Sequence, residues 1–153
     1  MKPTLVATGE KWIGYGIRSS LSVIQELMAN TKNELALTVY IISSMSIVNS
    51  IEACLDRGIH VEIFIYSPEL RTNNAAMERI REIRTKYEYL SLHEVTTDVL
   101  HAKILVSDGK RVLIGSANPT YSGMVRNYEM GLLLDDGRIA NNIIDLLRRL
   151  AEQ

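Results

Sequence analysis

Two stretches, residues 35–42 and 61–66, are almost unbroken in apolar side chains and too short to be buried helices. A strand reads this way when helices cover both faces of its sheet. Further strand-like runs follow at 104–106, 112–114 and 130–134, with a weaker one at 89–93. Four stripes of apolar residues at helical spacing accompany them. They are Ile17, Leu21, Ile24 and Met28; Ile47, Ile51, Cys54 and Leu55; Met77, Ile80, Ile83 and Tyr87; and Ile139, Ile143, Leu146, Leu147 and Leu150. Each stripe reads as a helix packing on a sheet. Helix and strand alternate through the first two-thirds of the chain, after which Asp108-Gly109 signals a hairpin and a further strand follows. The pattern predicts an α/β fold, a mixed sheet flanked by helices on both faces. No linker-like segment or internal repeat interrupts it, so residues 1–153 read as a single domain.

Charge narrows the classes of function. The 17 Lys and Arg against 18 Asp and Glu leave a formal net charge of −1. That excludes the broad basic coat of a non-specific duplex binder, while a local positive crevice stays open. Cys54 is the single cysteine, which excludes an internal disulfide framework and a multi-cysteine metal site. The first residues lack the apolar core of a signal peptide, and the longest apolar run is far short of the roughly 20 residues that span a bilayer. The expectation is a soluble, cytoplasmic protein.

The informative window is residues 101–118, HAKILVSDGKRVLIGSAN. His101 and Lys103 are two apart, so on a strand they share a face. Core strands seldom place His and Lys on adjacent positions of one face, because an unpaired buried charge is expensive. A concave, solvated or anion-occupied site is expected there. Ser116 and Asn118, also two apart, follow Gly115 and offer a hydroxyl and an amide to the oxygens of an anion. If the Asp108-Gly109 turn folds the two strands together, all four groups converge.

The spacing His-x-Lys-x4-Asp-x6-Gly-Ser-x-Asn, here His101, Lys103, Asp108, Gly115, Ser116 and Asn118, resembles the HKD signature of the phospholipase D superfamily. Asn127-Tyr128-Glu129 resembles the N-x-E element that follows the signature, and Arg57-Gly58 resembles the segment before a family strand. The resemblance implies a phospholipase D-like fold and phosphodiester chemistry that uses neither metal nor cofactor. It makes His101 the nucleophile that becomes a phosphohistidine, with a second histidine as general acid and then base. Imidazole titrates at about 6.5, so neutral nucleophile and protonated acid coexist near neutral pH. Lys103 and Asn118 would hold the non-bridging oxygens, Ser116 would add a hydrogen bond, and Glu129 would orient a catalytic imidazole. Asp108, beside Gly109, reads as a turn former, and Gly115 as a point of close backbone approach.

One copy of the motif supplies one catalytic histidine. His60 and His93 stand outside any such context and read as surface or satisfied residues, and the spacing from His93 to His101 suits no common metal-ligand set. A homodimer sharing one active site resolves the shortage. Lys103, Lys110, Arg111 and Arg126 surround the motif in sequence, with Lys110 and Arg126 as candidate substrate contacts. Tyr121 and Tyr128 read as packing residues that a base could stack on. The favoured substrate is therefore DNA or RNA. The alternatives are a phospholipase or phosphatidyltransferase, which lacks support from any Lys/Arg-rich amphipathic helix, and a non-catalytic nucleic-acid-binding module of a larger assembly. The segment 67–74 reads as a loop, and its Arg71 as solvated.

Overall fold

The structure is a computed structural model that describes residues 3–151. Eight strands form one sheet: β1 (Thr4–Thr8), β2 (Arg18–Ser19), β3 (Glu34–Val39), β4 (His60–Tyr66), β5 (Leu90–Val95), β6 (Lys103–Ser107), β7 (Arg111–Gly115) and β8 (Glu129–Asp135). Across the sheet they run β2-β1-β8-β7-β6-β3-β4-β5. Strands β3, β4 and β5 are parallel and are joined by α2 (Met45–Asp56) and α3 (Ala75–Lys86). Strands β6, β7, β8 and β1 extend the sheet antiparallel. Helix α1 (Ser20–Asn30) leads into β3, and α4 (Gly137–Ala151) follows β8.

The two faces of the sheet are covered unequally. Helices α1, α2 and α3 bury Leu27, Ile51 and Ile80 against Leu37, Ile63, Leu105 and Leu133 on one face. Helices of 11 or 12 residues are marginal alone, so this burial holds them, at about 1.5–3 kcal/mol per large aliphatic side chain. Helix α4 alone covers the other face, where Ala140 and Leu147 meet Ala36, Phe64, Val106 and Val112. Side chains take the orphan N–H groups at each start: Ser19 from Ser22 at 3.2 Å, Ser44 from Ile47 at 3.4 Å, Asn74 from Met77 at 2.8 Å and Asp136 from Ile139 at 3.1 Å.

A mixed sheet flanked on both faces is what the periodicity predicts, and the corrections are local. Strands β1 and β2 were not anticipated. Ile17 precedes α1 rather than belonging to it, since Ser19 caps that helix. Residues 40–42 leave β3 because Ile42 is held elsewhere, its N–H donating to buried Glu69 at 2.7 Å and its carbonyl accepting from Asn74 at 3.1 Å. Ser67–Arg71, read as loop, form a 3-10 turn with proline at its start. Arg71 lies on it, exposed, donating to the Ser67 carbonyl at 3.1 Å. The expected histidines are satisfied or exposed. His93 meets Glu62 at 3.1 Å and stacks on Phe64, and His60 tilts against Tyr89.

The hairpin between β6 and β7 sets the site. Asp108 and Gly109 both take positive φ, 54° and 62°, and Lys110 N–H donates to the Ser107 carbonyl at 3.1 Å. The Asp108 carboxylate accepts from the N–H groups of Lys32, Asn33 and Glu34 at 2.9, 2.8 and 3.0 Å, fixing the turn to the end of α1 and the start of β3. Burial pushes this carboxyl up, but the three donors outweigh it and hold its pKa below the ordinary value. A depressed pKa stabilises the fold above the unfolded-state value and loses that contribution as pH falls through the folded one. Asp108→Asn keeps a residue that tolerates positive φ but turns an amide donor toward one of those N–H groups. It is expected to lower urea-unfolding stability by about 1–3 kcal/mol near neutral pH, with the gap to wild type closing in acid. An unchanged midpoint at neutral pH would rule this anchor out.

Candidate active site

The antiparallel arrangement brings the start of β6, the end of β7 and the start of β8 to one edge of the sheet, together with the ends of β1, β3 and β4. His101 lies just before β6. Thr38 replaces the ladder at that point. Its hydroxyl donates to the Ala102 carbonyl at 2.5 Å and accepts from Ile104 N–H at 2.9 Å, bracketing Lys103. Lys103 Nζ reaches both nitrogens of the His101 ring, at 2.9 and 3.1 Å. An ammonium only donates, so the ring nitrogen that accepts from it carries a lone pair.

Lys103 is in register with Gly115, and Gly115 with Gly131, so two neighbouring strands present no side chain beside the lysine. A Cβ on Gly115 would stand 2.5 Å from the Met130 carbonyl oxygen, which is why glycine is required there. A cavity of about 60 Å³ opens under this gap, lined by Thr38, Lys103, Leu105, Leu113, Gly115 and Gly131 among others. The expected convergence is therefore present: His101, Lys103, Ser116 and Asn118 all stand at this edge.

Ser116 Oγ donates to Glu129 at 2.7 Å and accepts from Met130 N–H at 3.1 Å. Asn127 Nδ2 donates to the same carboxylate at 3.2 Å. Within one chain Glu129 thus holds Ser116 and Asn127, not an imidazole. Asn118 Oδ1 is buried without a hydrogen-bond partner, the one such side-chain atom among the described residues. A buried unsatisfied acceptor costs about 1–3 kcal/mol and marks a place that a bound group would fill. The peptide after it is fixed, since the Pro119 carbonyl accepts from the N–H groups of Ser43 and Ser44 at 3.0 and 3.1 Å.

Three basic residues divide. Arg126 belongs to the π-helical turn Ser122–Arg126 between β7 and β8, on the site's edge. Lys110 and Arg111 do not, because the hairpin carries them to the opposite end of β6 and β7 from Lys103. Proximity in sequence placed them near the motif, and the turn separates them from it. Asp108 lies at that far end too, as its turn-forming role requires.

Tyr40 is the residue that sequence reasoning missed. Its ring meets His101 edge-on at 4.6 Å, Lys103 Nζ stands 5.5 Å from its centroid, and Tyr66 stacks behind it at 5.3 Å. The available signal was positional. Both parallel apolar runs place a tyrosine just past the paired residues Val39 and Ile65 or at the strand's last position, and paired parallel strands bring such residues side by side.

Burial is the larger influence on Lys103 and pushes its pKa below the ordinary value, while the charge of Glu129 pulls it partly back up. Removing that charge must lower it further. In Glu129→Gln the Lys103 Cε resonance is expected to titrate at lower pH than in wild type, measured by NMR. A shift upward, or none, would show that the carboxylate does not act on the ammonium.

The chain belongs to the phospholipase D superfamily, a family of phosphodiesterases and nucleases; residues 24–151 match the family model described as "Cardiolipin synthase, PLD-like domain". Among curated proteins it is similar to the DISARM protein DrmC of Bacillus paralicheniformis, with 25% identity over 150 residues that cover 94% of this chain and 62% of that protein. The virion nicking-joining enzyme of vaccinia virus shares 22% identity over 129 residues, 78% of this chain and 30% of the enzyme. The chain thus spans less than two-thirds of the length of either relative. Its fold is that of Nuc from Salmonella typhimurium (TM-score 0.81, 19% identity, 99% of this chain and 96% of that one). NucT from Helicobacter pylori is similar to the same extent (TM-score 0.79, 21% identity, 99% and 96%).

Proposed function

We propose that the protein is a metal-independent nuclease that hydrolyses phosphodiester bonds of DNA or RNA through a phosphohistidine, in an active site shared by two copies of the chain. The observation that carries this reading is His101 and Lys103 in contact beside a gap free of side chains, with the unsatisfied amide of Asn118 at the same edge. The relatives support nucleic acid as substrate, since they include the virion nicking-joining enzyme.

The steps follow from the groups present. A phosphate entering the gap draws the Lys103 ammonium from the imidazole to its non-bridging oxygens. The freed lone pair of His101 attacks phosphorus, forming a P–N bond as the P–O bond to the leaving oxygen breaks. That oxygen takes a proton from His101 of the partner subunit. The same imidazole then takes a proton from water, whose oxygen attacks phosphorus and breaks the P–N bond. Lys103 and Asn118 stabilise the charge built up on the equatorial oxygens; a half-turn about χ2 of Asn118 sets Nδ2 in the place of Oδ1. Ser116, with its proton committed to Glu129, fixes the carboxylate that sustains the charge on Lys103.

His101→Ala and Lys103→Ala are each expected to abolish hydrolysis of bis-p-nitrophenyl phosphate while leaving the thermal melt unchanged, and the wild type to remain fully active in EDTA. Activity in either variant, or strict dependence on a divalent ion, would refute the mechanism. Incubating wild type with plasmid, single-stranded DNA, RNA and phospholipid vesicles in EDTA then selects the substrate, with cleavage of nucleic acid alone expected.

The second copy has a surface that suits it. Leu5, Leu132 and Ile114 are in register across β1, β8 and β7, and Met130 lies two residues from Leu132 on the same face, all four exposed beyond the reach of α4. Ile139 and Leu146, also exposed, lie two turns apart on α4. Ile114 directly precedes Gly115, and Met130 directly follows Glu129, so the patch reaches the same sheet edge on the face opposite Lys103, Gly115 and Gly131. Apolar surface in this quantity stabilises association at about 25 cal/mol per Å² removed from water. Leu132→Asp is expected to yield a folded monomer by sedimentation, with loss of diester hydrolysis. A wild type that is monomeric at micromolar concentration and fully active would overturn the shared site.

A further inference from the structure

Of the nine aromatic residues, six stand at the catalytic edge: Trp12, Tyr15, Tyr40, Tyr66, Tyr121 and Tyr128. Tyr40 and Tyr66 stack on each other, leaving four toward the β1–β2 side of His101. These four are exposed, Tyr15 by 83%. The loop that carries Trp12 and Tyr15, residues 9–17, is braced rather than open. Trp12 and Ile13 N–H donate to the Gly9 carbonyl at 3.0 and 3.2 Å, and the Trp12 ring meets Tyr128 edge-on at 4.9 Å. Tyr128 adjoins Glu129, which ties the brace to the site. Gly14 and Gly16, at φ 99° and 80°, bracket Tyr15 at the tip and turn its ring outward.

We infer that the Trp12–Tyr15 loop is a stacking platform for unpaired bases, which makes the substrate single-stranded nucleic acid. This rests on the nuclease reading and narrows it. Charge and aromatic placement point the same way. A duplex hides the faces of its bases and is held through phosphates, which calls for a row of cations. This edge supplies Lys11, Lys103 and Arg126, whereas Arg18 is paired with Glu26, Arg71 beyond β4 with Glu94, and the net charge is −1. A single strand offers base faces as well as phosphates, and exposed rings beside the cations of a groove are what hold it. Neighbouring strands are about 4.8 Å apart, and β1 and β2, which the loop joins, are the third and fourth strands from β6, so the loop stands about 14–19 Å from Lys103, a few nucleotides along one chain.

The test compares Tyr15→Ala and Tyr15→Trp with wild type on a single-stranded oligonucleotide, the same sequence as a duplex, and bis-p-nitrophenyl phosphate. Tyr15→Ala is expected to raise KM for the single strand about fivefold to a hundredfold, with kcat, duplex cleavage and bis-p-nitrophenyl phosphate hydrolysis unchanged. Tyr15→Trp is expected to restore the wild-type KM. An unchanged KM, an equal loss on duplex, or a fall in hydrolysis of the small diester would overturn the platform while leaving the nuclease intact. A wild type that hydrolyses the small diester and cleaves no nucleic acid would overturn the nuclease reading and this inference with it.

Discussion

Lys103, Gly115 and Gly131 lie side by side on three adjacent strands, and the absence of side chains on two of them makes the rest possible. Strands this close leave no room for substitution. A Cβ on Gly115 would stand 2.7 Å from Gly131 Cα, and one on Gly131 3.0 Å from the Ile114 carbonyl oxygen. Either would push β7 from β8 and move Ser116 relative to Glu129. The gap beside the lysine is therefore a property of strand register, and the register is set at the other end of the hairpin, where Asp108 gathers three backbone donors. A turn five residues from the ammonium thus fixes the space that a phosphate would enter.

The electrostatics follow from that placement. Lys103 is desolvated enough to lose part of its preference for the charged form, and Glu129 restores some of it from β8, two strands away. The carboxylate is itself held by Ser116 and Asn127. Ser116, Glu129 and Lys103 form one coupled set, so substituting the serine would reach the lysine through the carboxylate. Tyr40 completes the enclosure from the other side, its ring against both His101 and Lys103.

Much of this was legible in the sequence because the elements near the centre of the sheet are buried on both faces. Val39, Val61, Ile63, Phe64 and Ile65 are fully enclosed, and such runs announce themselves. Strand β1 did not, since Thr4 and Leu5 are exposed and only Val6, Ala7 and Thr8 are buried. The motif located His101, Lys103, Ser116 and Asn118 at one edge because two-residue spacing on paired strands translates directly into geometry. It misplaced Lys110, since nearness along a hairpin says nothing about which end a residue occupies. It passed over Tyr40 and Glu69, whose roles arise from contacts between segments roughly 30 to 60 residues apart.

The unequal covering of the two faces has a geometric cause. Eight strands at about 4.8 Å spacing make a sheet about 34 Å wide. Three helices suffice for one face, but on the other a single helix of 15 residues is about 22 Å long and about 10 Å across. It spans the middle and the β5 side, packing Phe64, Val95, Val106 and Val112, and cannot also reach Leu5, Ile114, Met130 and Leu132. Helix α4 starts at the far ends of β7 and β8, where Asp136 N–H donates to the Lys110 carbonyl at 2.9 Å, and runs toward β4, where Arg148 meets Glu62 at 2.6 Å, away from the patch. The bare half thus follows from where α4 starts and how far it runs, and that course leaves Leu5, Ile114, Met130 and Leu132 in solvent.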